Sequence, residues 1–327
     1  MYGILIVVVA VIMLVTPLSA ISFADNEVKT EESTDEKSQS QSSADVTVQT
    51  ADKDTISVFM TASNTTEEMN MREYIIGTVA AEMPASYDEE ALKAQALAAV
   101  TYAEYQKKNG DKSGLNGADI SDNSNTHQGY MTKEQMREKW GEAFDTYYEK
   151  ISDAVDAVVD MVITYDGEPV IAAYHAISSS QTESAENAWG VKIPYLKSTD
   201  SEWDTDSARY LSTVTVSDDD LAELMGSENV KADGNDIKIN STSDAGTVLE
   251  IIVCGNSMSG NQVRDMFSLR SPCFSVEYEN EEYIFTVKGY GHGVGLSQYG
   301  ADRLAKQGKT YQQIINHYYT DVKIEKR

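Results

Sequence analysis

The chain has 327 residues, 41% of them hydrophobic, and a formal net charge of −27. That is enough apolar material for a sizeable core in one large domain or two ordinary ones. The charge speaks against a polyanionic partner held by electrostatics, because nucleic-acid binding needs a basic stripe to neutralise phosphates and none is visible.

From Tyr2 to Ala24 no side chain is charged, and Gly3–Phe23 reaches about the 20 residues that an apolar helix needs to span a bilayer. Ser22-Phe23-Ala24 would suit cleavage of a signal peptide, but the basic start of such a peptide is missing. Residues 1–24 are therefore read as a retained membrane anchor, and on either reading the rest lies outside the cytoplasm. Asp25–Asp54 has almost no large apolar side chain. Such a stretch cannot offset its ordering entropy by burial, so it reads as a disordered tether.

The folded part is expected from Thr55 to Arg327, opening with a strand at Ile56–Met60. A helix over Asn70–Met83 is stopped by Pro84. The pattern Ser86-x-x-Glu89 predicts a capped second helix to about Lys107. Its middle, Ala91–Val100, is apolar on nearly every side and should be buried all round. Gly110–Tyr130 reads as a long loop. Thr132-x-x-Gln135 caps helical sequence that runs, with a break, to about Asp160. The period then changes to two: Met161–Tyr165 and Pro169–His175 flank Asp166-Gly167, a tight-hairpin signal. Strands follow at Ser212–Val216, Val248–Val253, Ser275–Glu279 and Tyr283–Lys288, and helices return at Gln298–Gln307 and, behind a Thr310-x-x-Gln313 cap, Tyr311–His317. Helices early and strands late predict an α+β fold with mainly antiparallel strands, as one catalytic unit or two lobes around a groove.

Glu82 shares a helix face with Ile75 and Val79, where poor solvation raises a carboxyl pKa towards what a general acid needs; a helix-end Glu that reaches water is the plainer reading. Lys93 and Gln95 interrupt the buried helix, and a buried amide must find partners. His175 ends a strand before the hydroxyl-rich run Ser178-Ser179-Ser180-Gln-Thr182, suited to a polar ligand or to an ordinary solvated loop. In Gly289–Gly300, alternating glycines around His292 let backbone come close to a ligand ahead of a helix start, without a phosphate-loop spacing. No metal motif is present, although His127 with His175 leaves a distant assembly open. Cys254 and Cys273 are either a disulfide or two small buried hydrophobes.

Taken together, Tyr74–Pro84 with Ala-Glu82-Met-Pro, Glu90–Ala96, Thr101–Ala103, Thr182–Asn187 with Trp189-Gly190 and Pro194–Leu196, and Gly291–Ala301 with His317–Tyr319 resemble the stage II sporulation protein D (SpoIID) family. The blocks cover about Ile56 to Tyr319. The resemblance implies a lytic transglycosylase that cuts peptidoglycan glycan strands stripped of stem peptides, with Glu82 as catalyst and no cofactor. It also implies an amidase and a membrane engulfment complex as partners during forespore engulfment. The groove is expected to be lined by Lys93, Gln95, Ser178, Ser179, Ser180, Thr182, His292, Gln298 and Tyr299. This chain departs from the family pattern at Val100, often Arg, and at Ser179-Ser180, often Gly-Gly. Other proteins with this domain resemble amidase enhancers that cut nothing themselves, and a scaffold that merely holds glycan is a third reading.

Overall fold

The computed structural model describes residues 54–226 and 229–327. The expected anchor and nearly all of the tether lie outside them. Among the described residues no helix is long and apolar enough to cross a membrane.

Strand β1 (Thr55–Met60) turns back on β2 (Thr65–Asn70), with Thr55 opposite Asn70. Asn70 then caps α1 (Met71–Glu82), its side chain accepting the Arg72 N–H. The helix ends at the residue before Met83-Pro84, where proline disfavours a further helical turn. Helix α2 (Glu89–Asn109) starts later than expected: Asp88, not Ser86, caps it by accepting the Glu90 N–H at 3.0 Å. Strand β3 (Ile120–Ser121) lies parallel to β1. The capping box of Thr132 and Gln135 forms as expected and opens α3 (Lys133–Trp140), and the chain breaks at Gly141 before α4 (Phe144–Asp156).

Strands β4 (Met161–Tyr165) and β5 (Glu168–Pro169) form the hairpin expected at Asp166-Gly167, whose φ values are 53° and 80°. The expected strand over residues 169–175 does not continue: the Val170 N–H still bonds the Ile163 carbonyl, but the Ile163 N–H goes to Thr101 of α2 and the Ala173 N–H turns back to the Ile171 carbonyl. Tyr174–His175 (β6) pairs elsewhere, parallel to β13 (Leu296–Ser297). Between them come α5 (Ala185–Trp189), β7 (Leu211–Ser217), α6 (Asp218–Met225), β8 (Ile237–Thr242) and β9 (Val248–Val253). Then follow β10 (Asn256–Met258), α7 (Gly260–Met266), β11 (Phe274–Glu279) and β12 (Glu282–Lys288). Helices α8 (Gln298–Lys306) and α9 (Tyr311–Tyr318) and strand β14 (Lys323–Lys326) close the chain, β14 pairing with β4. The fold is α+β, with mostly antiparallel strands in several small sheets.

Buried apolar side chains fall into two clusters. The larger joins α1, α2, α4, α8 and α9 with β1 and β4. The smaller belongs to residues 214–287, where the sheets β11-β12-β7 and β10-β9-β8 close over Phe267, Phe274 and Phe285. This second lobe is an insertion between β6 and β13, so its two ends emerge beside the parallel pair that those strands make.

Helix α2 is the axis of the first lobe. Every residue from Ala94 to Ala103 is buried, as the all-round apolar pattern predicts, and its alanines let α1, α4, α8 and α9 approach closely. Val100 lies fully inside this core. Thr101 fastens the axis to a sheet: its hydroxyl donates to the Leu97 carbonyl at 2.7 Å and accepts the Ile163 N–H at 2.9 Å. Thr101→Val keeps the shape but removes the acceptor, so the buried Ile163 N–H loses this partner. Urea unfolding is expected to show a loss of about 1–3 kcal/mol at unchanged m-value.

Candidate active site

Glu82 is the last residue of α1 and is partly exposed. Its Oε1 accepts the Gly129 N–H at 2.6 Å. The carboxyl is pushed up to about 7, chiefly by desolvation; the Gly129 N–H and the Lys139 ammonium oppose that shift. A position at the negative end of the helix dipole also disfavours the carboxylate. The group is thus dry enough to hold a proton near neutrality and open enough to pass it on.

The partner loop is seated by Gly77. A Cβ there would stand 2.2 Å from the Tyr130 ring and 2.8 Å from the Met131 carbonyl. With glycine, Tyr130 stacks on Tyr74 at 5.8 Å between centroids and the Met131 N–H bonds the Gly77 carbonyl. Those contacts hold Gly129 against the acid. Tyr74 also donates to the Gln128 side chain, which reaches the Ala99 carbonyl of α2. Tyr174 of β6 is buried, and burial, with the charge of Glu82 next in order, raises its phenol well above the usual value.

The glycine-rich segment lies against its own chain. Gly291 and Gly295 have φ of 108° and 74°. A Cβ on Gly295 would meet the Ala173 carbonyl at 2.1 Å, and one on Gly291 would meet the His175 Cβ at 2.8 Å. The close approach expected for a ligand is thus used, in large part, to pack this loop along residues 173–178. His292 is buried, takes the Val294 N–H on Nδ1 at 3.0 Å and lies 5.6 Å from the Trp189 ring. Burial first, then His175 and Arg264, hold it well below the ordinary histidine value, so it is neutral.

His175 and Ser178 form a sealed pair. His175 Nδ1 lies 3.1 Å from the Val294 carbonyl, which can only accept, so Nε2 takes the Ser178 hydroxyl proton at 2.8 Å. Burial lowers His175 to about 4. The Ser178 N–H bonds Asp204, which burial raises to about 6. Ser178 and Thr182 are both buried, and Thr182 is spent on residues 197 and 199. Ser179 donates to the Ala245 carbonyl of the inserted lobe at 2.6 Å. Ser180 has a φ of 96°, in the region that favours glycine, which accounts for the glycine that the family pattern leads one to expect there.

The other expected residues are distributed more widely. Lys93 turns to Glu89 and Glu90 of its own helix at 2.6 and 2.9 Å. Gln95 and Gln298 meet each other at 3.4 Å between α2 and α8. Tyr299 sets its edge against Tyr87 with Arg303 beside it. Gly129, Lys139 and Tyr174, which act on or respond to Glu82, were not singled out by sequence patterns; the first two come from one loop-and-helix segment and the third from a two-residue strand, all distant in sequence from the acid. His127 bonds Ser121, and among the described residues no three His, Cys, Asp or Glu gather as a metal site. Cys254 and Cys273 are both free thiols.

A raised carboxyl pKa costs stability at high pH. Glu82 is favourable to the fold below its unfolded value, and that advantage is lost as pH rises through about 7. Glu82→Gln should therefore raise the melting temperature at pH 8, by up to roughly 2–3 kcal/mol in stability, with the difference fading at pH 4. Ser180→Gly should add about 1 kcal/mol at either pH by relieving backbone strain, read from the same melts.

Residues 60–165, which include the acid, Gly129 and Lys139, match the family described as Stage II sporulation protein. The chain is 35% identical over 271 residues to stage II sporulation protein D of Bacillus subtilis, covering 82% of this chain and 78% of that one. An uncharacterized protein of Brachyspira hyodysenteriae is 31% identical, covering 79% and 67%. The protein called Amidase enhancer in Bacillus subtilis is 26% identical, covering 74% of this chain and 39% of its own length. With those residues and that extent of identity, the chain belongs to the SpoIID family of stage II sporulation proteins.

Proposed function

We propose that this protein is a lytic transglycosylase that cuts peptidoglycan between N-acetylmuramic acid and N-acetylglucosamine, leaving a 1,6-anhydro end. The observation that carries the reading is a single partly exposed carboxyl held near neutrality, Glu82. Most glycosidases use two carboxyl groups. Here one serves twice. Glu82 gives its proton to the glycosidic oxygen as the C1–O bond breaks. The resulting carboxylate takes the proton of the muramic 6-hydroxyl, whose oxygen bonds C1. No water is consumed, and the nucleophile is part of the substrate, which gives the advantage of an intramolecular reaction.

Strands stripped of stem peptides are the preferred substrate in this reading, with forespore engulfment as the setting. An amidase that removes the peptides and a membrane engulfment complex are the partners, and residues 1–24 hold the protein to the cell membrane with the catalytic part outside. The similarity to a protein named Amidase enhancer supports a second reading, a non-catalytic glycan-binding stimulator.

Incubating the full-length chain with denuded glycan strands separates the two. The expected result is 1,6-anhydro products by mass spectrometry, a rate reduced at least about a hundredfold in Glu82→Gln, and kcat/KM that falls about tenfold per pH unit above pH 7 as the acid form is lost. Products made equally by Glu82→Gln would remove the catalytic assignment. Stimulation of an added amidase without any anhydro product would establish the enhancer.

A further inference from the structure

Two groups oppose the desolvation of Glu82, and both come from one continuous piece of chain. The Gly129 N–H sits on Oε1. Ten residues on, the Lys139 side chain of α3 crosses to α1 and donates to the Ala80 carbonyl at 3.0 Å, two residues before the acid. Thr132 and Gln135 fix where α3 begins, and the Gly77 seat fixes the loop before it. The position of the ammonium is therefore set by the same contacts that set the N–H.

The groups that act on or are felt by Glu82 are few. Tyr74 of α1 and Tyr174 of β6 are both neutral, since burial raises each phenol far beyond working pH. The charged group that acts on it is Lys139, and the acid in turn favours the charged lysine against its own desolvation. Lys139 as a whole residue is exposed, so its field reaches the carboxyl partly through water and is open to screening by salt.

We propose that Lys139 is a positioning residue for the acid: its ammonium, anchored on the Ala80 carbonyl, balances the dry setting of Glu82 so that one carboxyl can both give and take a proton. The need arises from the two-step use of a single group and so rests on the transglycosylase reading. When Glu82 releases its proton, negative charge appears in a poorly solvated place at a helix C-terminus. A fixed cation and a fixed N–H are the groups that receive that charge without having to reorient. Without the cation the carboxyl would stay protonated more readily, yet the carboxylate formed on bond cleavage would be harder to reach.

The test uses full-length protein labelled with carboxyl-13C glutamate, with Glu82→Gln to assign the resonance. In Lys139→Gln and Lys139→Met the Glu82 midpoint is expected to rise by about half a pH unit or more, while Lys139→Arg leaves it in place. In the wild type, raising sodium chloride from about 0.05 to 0.5 M should move the midpoint in the same direction, and in Lys139→Gln it should move much less. With denuded strands, the basic limb of kcat/KM should shift up as the midpoint does, and kcat should fall more than KM changes. A midpoint and limb unchanged in both uncharged variants would overturn the proposal and leave Lys139 as a tie between α3 and α1. If the wild type makes no anhydro product, the proposed function fails, and the carboxyl titration still decides whether Lys139 governs Glu82.

Discussion

A carboxyl group taken partly out of water at the negative end of a helix is the constraint around which this protein is arranged. The position of Glu82 costs free energy whenever the group ionises, and local structure limits that cost. Proline at position 84 ends α1 where the side chain can leave the helix. Gly77 leaves room for Tyr130 and Met131, and this brings one backbone N–H to 2.6 Å from the acid. Beneath it, the buried middle of α2 keeps α1 from sliding, since its neighbours close in on every side. An acid pushed up to about 7 is therefore a product of packing and needs no second carboxyl beside it.

The inserted lobe has its own apolar core and meets the first lobe through polar contacts. Glu183 is buried and takes the Ser243 hydroxyl at 2.5 Å, the Ser184 N–H and the Asn187 side chain. Ser179 reaches Ala245, and Asn261 donates to the Ala188 carbonyl at 3.0 Å. Asn187 and Ala188 lead into Trp189, whose ring lies 5.6 Å from that of His292. A lobe joined by directional bonds instead of an extended apolar face holds its orientation by geometry. The cost of breaking any one contact includes a buried group left unpaired.

Local chemistry made much of this legible from sequence. The boxes at Thr132 and Thr310, the turn at Asp166-Gly167 and the strand Val248–Val253 follow from residues a few positions apart, and they form as those residues dictate. Strand β2, Thr-Thr-Glu-Glu-Met-Asn, carries no alternation and exists because β1 lies beside it. Residues 169–175 looked like the return of a hairpin, but the Ile163 N–H that would extend the ladder is taken by Thr101, and the tail of the glycine loop supplied another partner for β6. At the site, the dry acid was readable from its helix face. Gly129, Lys139 and Tyr174 were not, because each reaches Glu82 through tertiary packing that leaves no periodic trace.

Among the described residues two carboxyl groups are raised by burial, and they show why a perturbed pKa alone does not name a catalyst. Asp204, at about 6, lies completely inside the protein and is surrounded by hydroxyl and N–H donors from Ser178, Ser201 and Ser297. With no exposed surface, it offers no outside oxygen a way to its carboxyl. Its Oδ2 takes the Ser178 N–H and the Ser201 hydroxyl, as a buried structural carboxyl does. Glu82 has one N–H, a distant cation and a partly open side. The same desolvation thus acts on both groups, and what separates them is whether an outside oxygen can be the next hydrogen-bond partner. At Asp204 burial closes that place to anything from outside, and at Glu82 a partly open side leaves it accessible.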